Sequence, residues 1–286
     1  MIEIISEQLR ATINPFGAEL SSLRDAQGGE WMTDADPAFW TGRAPLLFPI
    51  VGRLMDDLYR VDGQEYPLPQ HGFARRQMFE LIEQTDNRAV FRLADNDETR
   101  AVYPFAFTLD AAFKLTGTTL AMDITVTNNG DRDMPASFGF HPAFAWPLPG
   151  GGAKTEHRIV FAEDEGDLSA IILGGWMDTK PWPNPLDGRT LHLNDPLFER
   201  DALVWNPVHS QSVRYEGEGT ALDVTFPDTP ALGIWTKPGA RFVCIEPWHG
   251  MADPHGFTGE IWDKPGMLRF APGQSRVFSM QVTLRY

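Results

Sequence analysis

The sequence predicts an all-β protein, a large antiparallel β-sandwich with a few short helices, and three observations carry that expectation. Short segments alternate apolar and polar residues, the two-residue period of a half-buried strand. Glycine (26) and proline (23) are spread along the chain and punctuate these segments instead of gathering in one linker. No stretch sustains the 3.6-residue apolar period of a long amphipathic helix.

Taken in order, Leu9–Ile13, Ala89–Leu93, Phe107–Leu115, Leu120–Thr127, Leu222–Phe226 and Val277–Leu284 read as strands. Thr116-Gly117-Thr118 links the third to the fourth as a hairpin with a short glycine-containing loop. Asn128-Asn129-Gly130-Asp131 ends that hairpin with strong turn chemistry. Asp36 followed by Pro37 predicts a short helix through Trp40, and Asp195-Pro196 a turn ending near Arg200. No shift in composition marks a linker and no repeat of about 20–50 residues recurs, so residues 1–286 read as one domain. Pro147–Gly152 (PLPGGG) reads as a surface loop of the sandwich.

Composition narrows the function. The 286 residues suffice for a large core without staples. A net charge of −15 disfavours nucleic acid and anionic membrane as partners, since both need a basic footprint. A neutral substrate, or an anion held by a local arginine cluster, remains. Cys244 is the single cysteine, which excludes a disulfide framework and any multi-cysteine metal centre. The start, MIEIISEQLR, lacks the features of a signal peptide, and the apolar run from Ala44 is too short to span a bilayer. The expectation is a cytoplasmic protein.

Three places combine ionisable residues with turn or strand-end residues: Gln70–Arg75, Phe138–Phe144 and Val243–Trp248 with His249-Gly250. Proline cannot continue a central ladder, so His141-Pro142 and Glu246-Pro247 predict strand ends from which side chains project into a cleft. The phenylalanines around them, Phe73 included, and Trp248 suit a sugar, whose C–H face stacks on aromatics. A lone histidine beside aromatics is more often a hydrogen-bonded core residue than a catalyst, which weighs on His71 and His141. Glu246 is more telling, because a carboxylate ending an apolar strand needs a partner, or a raised pKa suited to a general base. His157, His192 and His209 lie in polar, turn-rich contexts and read as surface residues.

Arginine offers a forked donor for vicinal hydroxyls or phosphate. Arg53 and Arg75 are better placed for this than Arg43 or Arg76, although a solvated charge is the commoner role. Glu246, His249, Asp253 and His255 fall close together and form a rival metal site. Their spacing matches no zinc signature, and Pro247 and Pro254 argue against a helix presenting them.

Seven stretches, in this order, resemble the aldose 1-epimerase (galactose mutarotase) family, in a bacterial branch that also resembles the hexose-6-phosphate 1-epimerases. They are Phe48–Arg53, His71–Arg75, Tyr103–Phe105, Val126–Asn128, Gly139–Phe144, Ile245–Trp248 and Leu268–Ser275. The resemblance implies a galactose mutarotase-like sandwich with no cofactor and no metal. It implies Glu246 as general base, His141 as general acid and His71 as the second, sugar-polarising histidine. It further implies that Arg53, Arg75 and Asp201 line the sugar site. The expected activity interconverts the α and β anomers of a hexose, and the expected partner is a small sugar, an aldohexose or its 6-phosphate. A non-catalytic sugar-binding protein of the same fold is the alternative from another class.

Overall fold

The hairpin of Phe107–Thr116 and Thr119–Asn128 forms where expected, with Thr116 opposite Thr119 and Gly117 in the left-handed region at φ 56°. In this computed structural model, which describes residues 1–172 and 174–286, that hairpin lies within a nine-stranded antiparallel sheet. On one side of it follow Arg88–Ala94 and Glu80–Gln84; on the other come Ser275–Arg285, Thr220–Thr225, Ser212–Gly217, Arg158–Phe161 and Thr190–His192. Alternation drives each strand: in Phe107–Thr116 the odd-numbered residues from Phe107 to Leu115 are buried.

A second antiparallel sheet of six strands supplies the other layer. Its order is Leu203–Trp205, Ala231–Trp235, Phe242–His249, Phe138–Phe140 and Leu46–Leu47, with Ala143–Ala145 also pairing on Phe242–His249. The layers meet through side chains such as Phe138, stacked on Phe278 with centroids 4.9 Å apart, and Phe48, 5.1 Å from Phe107. One contiguous apolar core runs between them.

The helical expectations need correction. Residues 37–39 form a turn, with Asp36 Oδ1 accepting from Ala38 N at 2.9 Å; the cap is present but no helix follows it. The turn at Asp195–Phe198 is a 3-10 helix capped by Asn194, whose side chain accepts from Leu197 N. The α-helix that does form, Asp97–Val102, is closed by a reciprocal box between Asn96 and Thr99, and is too short to show a period. His157 is buried rather than superficial, because the Pro147–Gly152 loop folds over it and Leu148 N donates to its Nε2 at 3.0 Å.

The proline signal has a different meaning in space. Glu246-Pro247 does not end a strand: Phe242–His249 continues to His249, every residue buried. On the edge away from Ala231–Trp235, however, strand pairing lapses at Glu246-Pro247: Phe138 and Gly139 pair with His249 and Trp248, Ala143 pairs with Cys244, and Ile245 N donates to Pro142 O at 3.3 Å. The link between those partner strands is Phe140-His141-Pro142. The two prolines thus fall where the ladder is open, and His141 enters through that opening towards Glu246.

Candidate active site

Alternation along Phe242–His249 decides which residues reach the site. Val243 and Ile245 point into the main core, whereas Cys244 and Trp248 belong to small apolar clusters on the opposite face of the sheet. Glu246 shares that face and is 1% exposed. Trp248 fits flat because its neighbours lack side chains: a Cβ at Gly139 or Gly233 would stand 2.7 or 2.9 Å from the indole. The hairpin built from Leu168–Ile172 and Trp176–Trp182 covers the other side, contributing Ile171 and Met177.

Between them lies a cavity of about 270 Å³, lined by Glu246, His141, His71, Arg75, Asp201 and Trp248, with Trp40, Trp235 and Gln70. Its size suits a monosaccharide rather than a larger ligand. Six of the eight residues expected from the sequence are therefore brought together.

His141 Nε2 stands 3.3 Å from Glu246 Oε2, yet Oε2 has no aligned hydrogen-bond partner. The imidazole is held by aromatics: it stacks on Trp40 at 4.9 Å and meets Trp235 edge-on at 5.8 Å. His71 is edge-on at 5.7 Å. His71 itself is placed by two interlocked loops, in which its N–H donates to Gly52 O at 2.9 Å and Phe73 N donates to Phe48 O at 3.0 Å. Gly52 N donates to His71 Nδ1 at 3.1 Å, so the neutral ring carries its proton on Nε2. His71 occupies the left-handed region at φ 65°, and Gly72 follows at φ 69° with no room for a Cβ, which would lie 2.2 Å from Phe48 O.

Burial governs the electrostatics. The Glu246 carboxyl is pushed well above the carboxylate range, first by desolvation and then by the negative charge of Asp201. The Trp248 indole N–H faces it and partly offsets this without an aligned hydrogen bond. His141 is lowered to about 3, again mainly by burial, with its own backbone carbonyl and Arg75 as smaller influences. His71 is lowered by burial, then by His141 and Arg75. Asp201, solvent-accessible at the mouth, is raised by the wall beside it and held back by Ala202 N–H. Burial thus favours the neutral form of both side chains of the pair.

Two expected lining residues lie elsewhere. Arg53 turns away from the cavity, bonding Asp57 Oδ1 at 3.2 Å and Gly174 O at 3.2 Å, and lies over Trp176. A carboxylate four residues along captured it. Phe73 packs into the core against Phe48, Tyr103 and Phe107, because its loop is locked by backbone bonds. Arg75 does line the cavity; Nη2 donates to Gln70 O at 2.8 Å while its buried Nε has no partner among the described residues. Trp40 and Trp235 were missed, since nothing near either in sequence marks it as more than core.

The rival metal constellation is dispersed. His249 points to Phe278 and Arg276, Asp253 pairs with the buried Lys264 at 2.6 Å, and His255 packs by Trp176. A different trio does converge: one donor atom from each of His141, Cys244 and Glu246 lies within 4.8 Å of the others.

The sandwich matches a known class of fold. The family model for aldose 1-epimerase covers residues 1–269, and the chain belongs to that family. Among individual relatives it is 31% identical to the plasmid-borne protein LacX of Lactococcus lactis subsp. lactis, over 99% of both chains. A galactose mutarotase related enzyme from Lactobacillus acidophilus superposes with a TM-score of 0.94 at 32% identity, covering 100% of this chain and 97% of the other. A galactose mutarotase-like protein from Lactobacillus casei gives 0.93 at 29% identity over 100% of each.

Proposed function

We propose that this protein catalyses aldose 1-epimerisation, interconverting the α and β anomers of an unphosphorylated aldohexose by acid–base opening and closure of the ring. The observation that carries this reading is the Glu246–His141 pair, 3.3 Å apart in one cavity of monosaccharide size.

The chemistry needs one base and one acid. Glu246 takes the proton from the C1 hydroxyl as C1–O1 becomes a carbonyl; the bond from C1 to the ring oxygen breaks, and His141 protonates that oxygen. Rotation about C1–C2 presents the other carbonyl face, and the reverse transfers close the ring. The pair holds a single proton at rest, on Glu246. On sugar binding it passes to His141, because substrate hydroxyls compensate the carboxylate left behind. Proton inventory is unchanged, no cofactor is required, and each partner contributes about 10²–10⁴-fold. His71 Nε2–H, Arg75 and Asp201 hold the hydroxyls, while Trp248, Trp235 and Trp40 present apolar faces.

The arginines disfavour a phosphate on the substrate. Arg75 is the one guanidinium among the described lining residues, Arg53 is committed to Asp57, and Arg43 donates to Ser21 O and Thr33 O. Asp201 at the mouth would repel a dianion.

Exchange NMR on a panel of aldoses and their 6-phosphates tests the proposal. Free aldoses should interconvert faster with protein present, and Glu246→Gln or His141→Asn should remove most of the acceleration while leaving the fold intact. Saturable binding without acceleration would make this a sugar-binding protein, and preference for the 6-phosphates would overturn the substrate assignment.

A further inference from the structure

We propose that His141, Cys244 and Glu246 form a binding site for a thiophilic divalent cation of the Zn²⁺ class, and that its occupancy blocks the acid–base pair. The blocking, though not the binding, rests on the activity proposed above.

The donor spacing suits such a cation. Zinc bonds to imidazole nitrogen and carboxylate oxygen are about 2.0–2.1 Å, so a tetrahedral centre separates those two donors by about 3.3 Å. His141 Nε2 and Glu246 Oε2 already stand at 3.3 Å, without an aligned hydrogen bond between them. A thiolate at about 2.3 Å from the metal would lie about 3.5 Å from either donor. All three donors here fall within 4.8 Å, and Cys244 and Glu246 project from the same face of one strand, so a small side-chain rotation completes the triangle. The His141 ring is oriented by packing, stacked on Trp40 and edge-on to Trp235.

Charge and burial agree with the geometry. Cys244, Glu246 and His141 are 0%, 1% and 8% exposed. A divalent cation with one thiolate, one carboxylate and one neutral imidazole sums to zero, so the complex carries no net charge into a dry site. Binding releases two protons, one from the thiol and one from the carboxylic acid. The remaining coordination position faces the cavity, where a water or sugar hydroxyl can enter. A mixed sulfur, nitrogen and oxygen set favours zinc or cobalt over magnesium or calcium. The cation takes the lone pairs through which the shared proton moves, so the bound form cannot shuttle it.

Cobalt(II) is the probe, because the chain has one cysteine. Any thiolate-to-cobalt charge-transfer band in the untagged protein must come from Cys244. One equivalent of Co²⁺ should produce that band with tetrahedral visible absorption; Zn²⁺ should displace it, and Cys244→Ala, with unaltered circular dichroism, should abolish it. In the mutarotation assay, Zn²⁺ should inhibit the wild type, and Cys244→Ala should retain metal-free activity while needing at least about tenfold more Zn²⁺ for the same inhibition. A missing thiolate band, or equal Zn²⁺ sensitivity in Cys244→Ala, overturns the proposal. The band in a protein without mutarotase activity would uphold the cation site and defeat the activity instead.

Discussion

Glu246 and His141 approach to 3.3 Å at a lapse in sheet pairing, where burial favours the protonated carboxyl and the neutral imidazole. The pair therefore behaves as a one-proton unit whose protonation limits belong to the couple rather than to either side chain.

That unit sets the pH profile. It gains a second proton only near His141's value of about 3 and loses its one proton only above Glu246's raised pKa. We expect kcat/KM, measured by exchange NMR and corrected for buffer catalysis, to stay level from mildly acid pH into the neutral range and to fall on an alkaline limb. Ordinary side chains would instead put limbs near about 4.3 and 6.5. An acid limb at an ordinary histidine pKa would contradict the one-proton state.

The same carboxyl costs stability. Its folded pKa exceeds the unfolded value of about 4.3, so the folded state holds more protons in that window and stability falls as pH rises through it. Glu246→Gln removes this dependence. The variant should match the wild type most closely at acid pH and exceed it increasingly towards neutrality, with Tm higher by roughly 2–4 °C per kcal/mol recovered. Thermal melts at several pH values would check this; a constant difference would refute it.

His71 is constrained by backbone as well as by chemistry. At φ 65° it sits where asparagine is tolerated far better than alanine. His71→Asn should keep most of the stability, whereas His71→Ala should lose about 1 kcal/mol more in urea denaturation. Both should lower kcat/KM, because neither supplies the Nε2–H directed at the sugar.

Behind the cavity, Lys264 and Asp253 form a pair at 2.6 Å with side chains 1% and 3% exposed. Asp253 Oδ2 also accepts from Met55 N at 2.9 Å. Lys264→Met leaves that carboxylate unpaired and should cost about 3–5 kcal/mol. Asp253→Asn combined with Lys264→Met should recover a substantial part of the loss, because the buried charge is gone and the Met55 contact survives. A double variant no better than the single would show that the pair is not what is being measured.

Some of this protein is written locally. Strand periodicity repeats every two residues, so Phe107–Thr116, Thr119–Asn128 and Ser275–Arg285 could be placed within a residue or two from apolar spacing and turn residues alone. The ordered motifs likewise marked His71, His141, Glu246, Arg75 and Trp248, and the family resemblance Asp201, all of which meet in the cavity. Folding decided what depends on distant partners. Asp57 drew Arg53 away, the loop bonds to Phe48 sent Phe73 into the core, and Trp40 and Trp235 closed around His141. The charge of the Glu246–His141 pair was settled last and by structure alone. A side chain's type fixes its affinity for a proton in water, but only three-dimensional packing determines how much water remains.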